Sequence, residues 1–317
     1  MNRFVRLLIL AVLVAALGAG CGNEFEPTSI RLEAKGELTV GEMVQLEVIG
    51  IDAEGREEPI TEGLSFTTSN EYVASVDASG LVTVHSRAPV TITAKADLGE
   101  KGSFEAKIET TPICHYPEEN WGLSHGMTVP PLRWNAMDPY GQPYSLRLED
   151  VYCNLEWRGV QTLHLVFSAG WCGPCTQYAG MLSAMSKDLN ALGMRIATIE
   201  LDTLVPGQDA DHRFAYDHLK KIADSVGAPV SGFAAGLRDT FLAGDEDNYR
   251  EELRKFVVVF PTRLIVRTRD MRVIADGSAN GPWSGTHFPL MDIAANPEGD
   301  WSTPDSNGEP IPTEPNE

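Results

Sequence analysis

Between Ser29 and about Glu109 the chain alternates apolar and polar positions. In "LTVGEMVQLEVIG", Leu38 and Val40 and then Val44, Leu46 and Val48 share one face, with Gly41-Glu42 as a hairpin turn. "YVASVDASGLVTV" alternates around "DASG", and "PVTITAKA" supplies a further strand. A period of two marks half-buried strands, and short strands with turn residues about every 8–12 positions predict an all-β sandwich. From Trp121 to Gly141 proline, glycine, tryptophan and histidine replace the alternation, which predicts an irregular segment leading into the next domain. "GQPYSLRLEDVY" then predicts a short strand or turn and a helix start. At "TLHLVFSA" the pattern becomes an unbroken apolar run, as in a central strand covered on both faces. Tyr178, Met181, Leu182, Met185 and Leu189 follow at helical spacing, so a helix should run from there to about Asn190, with Gly193 stopping it. "MRIATIELD" reads as a second core strand. Ala215, Leu219, Ile222 and Val226 form one helical stripe, and another helix is predicted around Asn248 to Lys255. "KFVVVFPTRLIVRTRDMRVIADG" gives two strands with a proline between them and a turn near Arg269-Asp270. The order is strand, helix, strand and then a hairpin.

Composition sets the scale of this plan. The 317 residues, 43% of them hydrophobic, suffice for two domains with real cores. A formal net charge of −20 with no Lys/Arg cluster excludes nucleic acid as an expected partner. The last stretch, "NPEGDWSTPDSNGEPIPTEPNE" (296–317), has proline and acid but almost nothing to bury and is expected to be disordered. At the other end, Arg3 and Arg6 precede "LLILAVLVAAL", an apolar run too short to span a bilayer and laid out like a secretory signal. Its end, "LGAGC", resembles a bacterial lipobox, which implies lipidation of Cys21 after removal of residues 1–20. Gly18 stands where such motifs favour an aliphatic residue, with Leu17 one place early; an ordinary signal cleaved nearby is the other reading. Five cysteines are awkward in an oxidising compartment. With Cys21 lipidated, the remaining four divide into the close pair Cys172/Cys175 and the distant pair Cys114/Cys153, one of three possible connectivities.

The close pair carries the candidate chemistry. "FSAGWCGPCTQY" places two cysteines at a strand-to-helix junction. The thiolate attacks a disulfide, and free backbone N–H groups in the first helical turn favour that anion. Cys172 would sit at the exposed end of this turn as the nucleophile. Cys175, one turn further in, faces the same way and can resolve the mixed disulfide. Gly173 permits the tight entry into the helix, and Pro174 lies where its missing N–H costs least. Trp171 is expected to pack there and to shape the contact surface. A zinc site would need a second close ligand pair, and none exists; His212 and His218 point to different helix faces, Cys114-His115 is better explained by a disulfide, and His164 reads as a satisfied core histidine. No metal or cofactor is expected.

Two resemblances extend this reading. "LTVGEMVQLEV", "SFTTSNEYVASVDASGLVTV" and "VTITAKA" resemble, in order, the bacterial Ig-like group 2 domain, with Phe66 where that family often has tryptophan. Such modules imply a spacer or adhesive surface and no chemistry. "VFSAGWCGPC" with "VVVFPT" downstream resembles the thioredoxin superfamily, and the spacing resembles its TlpA-like and AhpC-like exported redoxins, over Ile113 to about Ala295. The resemblance implies a cis-proline at Pro261, between Phe260 and Thr262, opposite the dithiol and able to engage an extended peptide. Many thioredoxins have an aspartate six residues before the first cysteine; here that residue is Val166. Glu200 or Asp202 could take over its task, or be a solvated charge at a strand end.

The expected architecture is therefore a signal (1–20), a linker (21–28), an all-β Ig-like sandwich (29–110), an α/β thioredoxin-like fold (113–295) and the tail. The expected function is a thiol-disulfide oxidoreductase, exported and lipid-anchored to the bacterial cell envelope. It would reduce a disulfide-containing protein or peptide and receive electrons from a membrane partner; the Gly-Pro between its cysteines resembles reducing family members. The alternative is a non-catalytic surface lipoprotein whose redoxin fold keeps a structural disulfide.

Overall fold

A computed structural model describes residues 25–242 and 249–309. The signal and Cys21 lie outside the described residues. Eight strands come first: β1 (Ser29–Ala34), β2 (Met43–Ile51), β3 (Glu57–Ile60), β4 (Leu64–Thr68), β5 (Ala74–Val76), β6 (Leu81–Val84), β7 (Val90–Asp97) and β8 (Ser103–Thr110). They make one sheet in the order β1-β2-β6-β5, with β3 also on β2, and another in the order β4-β7-β8. The alternation read from the sequence becomes the inward set: Val44, Leu46 and Val48 of β2 meet Val82, Val84 and Ile92 in one core, with Phe66 packed against it.

The rest of the described chain builds a seven-stranded sheet. Its elements are β9 (Leu132–Met137), β10 (Pro143–Arg147), α1 (Leu148–Cys153), β11 (Thr162–Ala169), α2 (Gly173–Ala191), β12 (Met194–Asp202), α3 (His212–Ser225), β13 (Phe233–Leu242), α4 (Tyr249–Phe256), β14 (Thr262–Arg267), β15 (Arg272–Asp276) and α5 (Leu290–Ala295). The sheet order is β10-β9-β13-β12-β11-β14-β15. β11 runs parallel to β12 and antiparallel to β14. Every residue of β11 is buried because helices cover both faces. Val166 joins Leu182 of α2 and Ile293 of α5 on one face. Leu165 and Phe167 join Val151 of α1 and Leu253 of α4 on the other. α2 ends as its sequence dictates: Gly193 takes φ +80°, and a side chain there would collide with the Gly159 carbonyl at 2.7 Å. Among the described residues no helix is long and apolar enough to cross a membrane.

The structure corrects several expectations. The segment from Trp121 to Gly141 is not irregular throughout. It contains β9, where buried Trp134 donates its indole N–H to Thr240 at 3.0 Å and so satisfies its polar atom inside the core. β13 was not anticipated: Gly236 and Asp239 interrupt its apolar pattern, yet it fills the place between β12 and β9. No strand precedes Pro261, since Val257 to Phe260 form a bent loop and the hairpin is β14 with β15. Val226 falls beyond the end of α3 and is exposed. The first part of the tail is packed rather than disordered. Trp301 is buried against α5 and accepts the Trp283 indole N–H on its carbonyl at 2.7 Å, so a single aromatic anchors residues otherwise too polar to fold.

His164 is the least comfortable group in this core. It is fully buried on β11, the Tyr178 hydroxyl lies 3.3 Å from its Nε2, and its Nδ1 has no partner. Burial, aided by the charge of Arg263, pushes its pKa down to about 3. The unfolded chain protonates this ring below about pH 6.5 and the folded chain does not, so the stability it contributes is present above that pH and is lost as pH falls towards 3. Urea denaturation at pH 7 and pH 4 should show His164→Leu losing about 3 kcal/mol less than the unaltered chain over that interval. Parallel losses in the two proteins would remove His164 from the account.

Candidate active site

The dithiol stands where β11 hands over to α2. Gly170 fits there because a side chain would strike the Phe214 ring at 2.8 Å and the Thr203 backbone at 2.9 Å. Cys172 is the N-cap of α2, in extended conformation, and its Sγ accepts the Cys175 N–H at 3.2 Å. Gly173 and Pro174 form the first turn, with the proline where no intrahelical N–H bond is lost. Cys172 and Cys175 are joined in a disulfide, with their Cα atoms 5.2 Å apart. Cys114 and Cys153 form a second disulfide, at the end of α1.

Cys172 does not sit exposed as its helix position suggested: in the disulfide it is 4% accessible. Its sulfur is turned inward to Cys175 and packs with Ala169 and Phe260. Trp171 meets the Phe260 ring edge-on at 5.5 Å, so two aromatics from different segments flank the sulfurs. Trp171 is itself 44% exposed and donates its indole N–H to Asp202 Oδ2 at 3.0 Å. Asp202 also accepts Arg254 Nη2 at 2.9 Å. Burial pushes its carboxyl up, but hydrogen bonds from Gly207, Trp171 and Arg254 outweigh this and hold it below the usual carboxylate range. Asp202 therefore orients Trp171.

Glu200 is not a solvated strand-end charge. It is fully buried beside Ser168 in the parallel register of β12 with β11. Ala197, Ile199 and Leu201 face the α1/α4 side, which leaves Glu200 on the face that carries α2 and α3. Its Oε1 lies 2.7 Å from His218 Nδ1, and its Oε2 has no partner. Burial pushes the Glu200 pKa up against the pull of the His218 hydrogen bond. His218 was missed in the sequence because its spacing from His212 was read only for metal chelation; its position beside the apolar stripe of α3 was the available signal. His212 instead pairs with Asp239 at 2.7 Å.

Facing the dithiol, the Phe260–Pro261 peptide is cis. Buried Thr262 donates its hydroxyl to the Val259 carbonyl at 2.7 Å and ties the loop down. This leaves Val259 and Val258 in solvent, the latter 63% exposed. Trp171, edge-on to Phe260 of the same loop, adds a further exposed apolar side chain. Among the described residues no group of three or more His, Cys, Asp or Glu side chains is placed to hold a metal ion.

No protein-family model matches the chain, and no curated protein matches it. Solved structures do show similarity. One is thioredoxin from Wuchereria bancrofti, at 17% identity and TM-score 0.31, covering 53% of this chain and 92% of that one. A second is a thiol:disulfide interchange protein from a Bacteroides species, at 16% identity and TM-score 0.31, covering 49% and 84%. A third is a 2-Cys peroxiredoxin from Plasmodium vivax in its reduced form, at 10% identity and TM-score 0.37, covering 55% and 82%.

Proposed function

We propose that this chain is a thioredoxin-like thiol-disulfide oxidoreductase that reduces protein disulfides through Cys172 and Cys175. The observation that carries this is the Cys172–Cys175 disulfide at the N-cap of α2, with the Cys175 N–H aimed at the Cys172 sulfur. In the dithiol form the same N–H and the helix dipole stabilise a Cys172 thiolate. That thiolate attacks one sulfur of the substrate disulfide; the substrate S–S bond breaks, a Cys172–substrate disulfide forms, and one substrate thiol leaves with a proton. Cys175, losing its own proton, attacks Cys172 Sγ, the mixed disulfide breaks and the second substrate thiol leaves. Two electrons have passed to the substrate, and the closed disulfide is the oxidised product. A thiol reductant must reopen it by the same exchange run in reverse.

Glu200 supplies the proton acceptor for Cys175. A carboxylate with an elevated pKa and one free oxygen suits that task, and partly exposed His218 passes the proton to solvent. The exposed apolar side chains of Val258, Val259 and Trp171 suit an extended polypeptide lying along the loop. Placement at the cell envelope through a lipid on Cys21, a membrane electron donor and a spacer role for an Ig-like domain at 29–110 complete the reading, supported by the sequence patterns that suggested them.

The low accessibility of Cys172 favours the second reading, a structural disulfide in a non-catalytic surface lipoprotein. The attacking species, however, is the dithiol, in which Cys172 is released from Cys175. After mild reduction, iodoacetamide should label Cys172 well before Cys175, and Cys175→Ser should accumulate substrate mixed disulfides in cells; slow labelling of both cysteines and no adduct would decide for the structural reading. The pair should titrate near the thioredoxin potential of roughly −270 mV and support insulin reduction, whereas a strongly oxidising value would reverse the direction of flow. Stopped-flow resolution of a Cys172 mixed disulfide should slow about tenfold or more at pH 7 in Glu200→Gln and regain rate as pH rises and Cys175 ionises without help. An unchanged pH profile would strip Glu200 of this role.

A further inference from the structure

Next to the dithiol, between α2 and the segment 277–287, lies a cleft of about 510 Å³. Pro174, from between the two cysteines, and Phe260, which packs against them, both line it, so cleft and disulfide share their walls. The lining holds Arg263 and His287 and no Asp or Glu, in a chain with 45 acidic and 25 Lys/Arg residues. Arg263 is 6% exposed. Its Nη2 donates to the Thr286 carbonyl at 2.6 Å, and its Nε is buried without an acceptor. The guanidinium lies over the rings of Tyr178 and Phe288, 5.3 and 5.0 Å from their centroids. No carboxylate of the described residues forms an ion pair with it. Aromatic faces, the Tyr178 hydroxyl and one carbonyl offset only part of the cost of burying a cation, and the remaining donors of a planar fork match a carboxylate. An apolar replacement would serve packing alone without leaving a buried donor unmet.

We infer that this cleft binds a carboxylate of the disulfide substrate on Arg263, so that the protein selects acidic disulfides. This rests on the oxidoreductase reading for the word substrate; the site itself stands on the cleft and its unpaired cation. The carboxylate could belong to a small acidic thiol compound or to a Glu or Asp beside the cysteine of a protein. Either way it arrives beside the sulfurs, because Pro174 and Phe260 border both.

The test uses the oxidised full chain and ligands that cannot exchange. Calorimetric titration with S-methylglutathione should saturate, should weaken at least tenfold when the carboxylates are esterified, and should weaken about tenfold in Arg263→Gln. An S-methylated hexapeptide with blocked ends and Glu beside its cysteine, set against its Gln twin, separates the sources: tighter binding of the Glu peptide than of S-methylglutathione assigns the carboxylate to a protein, and the reverse to a small thiol. Equal affinity for acid and ester, saturation by none of the acidic ligands, or full affinity in Arg263→Gln would overturn the proposal. Should Arg263→Gln fail to fold, the comparison of acid with ester on the unaltered chain still decides. Turnover of hydroxyethyl disulfide, which carries no charge, is measured separately. Absence of turnover with this compound and with oxidised glutathione alike refutes the oxidoreductase reading and leaves the binding result standing.

Discussion

The backbone N–H of Cys175 points at the sulfur of Cys172, and much of the surrounding architecture serves to keep it there. A helix can start at a cysteine only if the preceding strand ends abruptly and the chain turns without a side chain in the way, which is what Gly170 allows against Phe214 and Thr203. The turn needs a well-held strand before it, and β11, between β12 and β14, is the strand of its sheet that is buried at every residue. The helix then brings its unpaired amides to a fixed point. A sulfur placed there meets a backbone donor supplied by the helix itself.

The polar groups around that point divide their labour by burial. Asp202, ionised and fully engaged, fixes Trp171 over the site together with Arg254. Glu200, two residues earlier, points to the opposite face of the sheet from Leu201 and keeps one oxygen unengaged. Two carboxylates at the end of one strand thus differ because several donors outweigh burial at Asp202, whereas burial outweighs the single His218 contact at Glu200.

The sequence made much of this readable because local signals and tertiary demands agree. The CGPC turn, the mainly apolar run of β11 and the stripe along α2 each specify one answer, and the structure places the strand, the turn and the helix where these patterns put them. Legibility failed where a residue's environment is assembled from distant segments. β13 carries Gly236 and Asp239 and reads as a loop, yet the gap between β12 and β9 makes it a strand. Trp301 looks isolated in an acidic tail until Trp283 and α5 supply its pocket. Arg263 is a strand residue whose surroundings are assembled from Tyr178 of α2 and the segment bearing Thr286 and Phe288. The accessibility of Cys172 belongs to the same group, since the ring that covers it comes from Phe260.

The second disulfide has a consequence of its own. Cys114 and Cys153, 39 positions apart, close a stretch that leads from the last strand of the first two sheets into the seven-stranded one. A protease that nicks the backbone anywhere inside that stretch leaves both fragments covalently tethered. They come apart on a gel only once a reductant is added, so a digest run with and without thiol reports on this cross-link independently of anything the Cys172–Cys175 pair does.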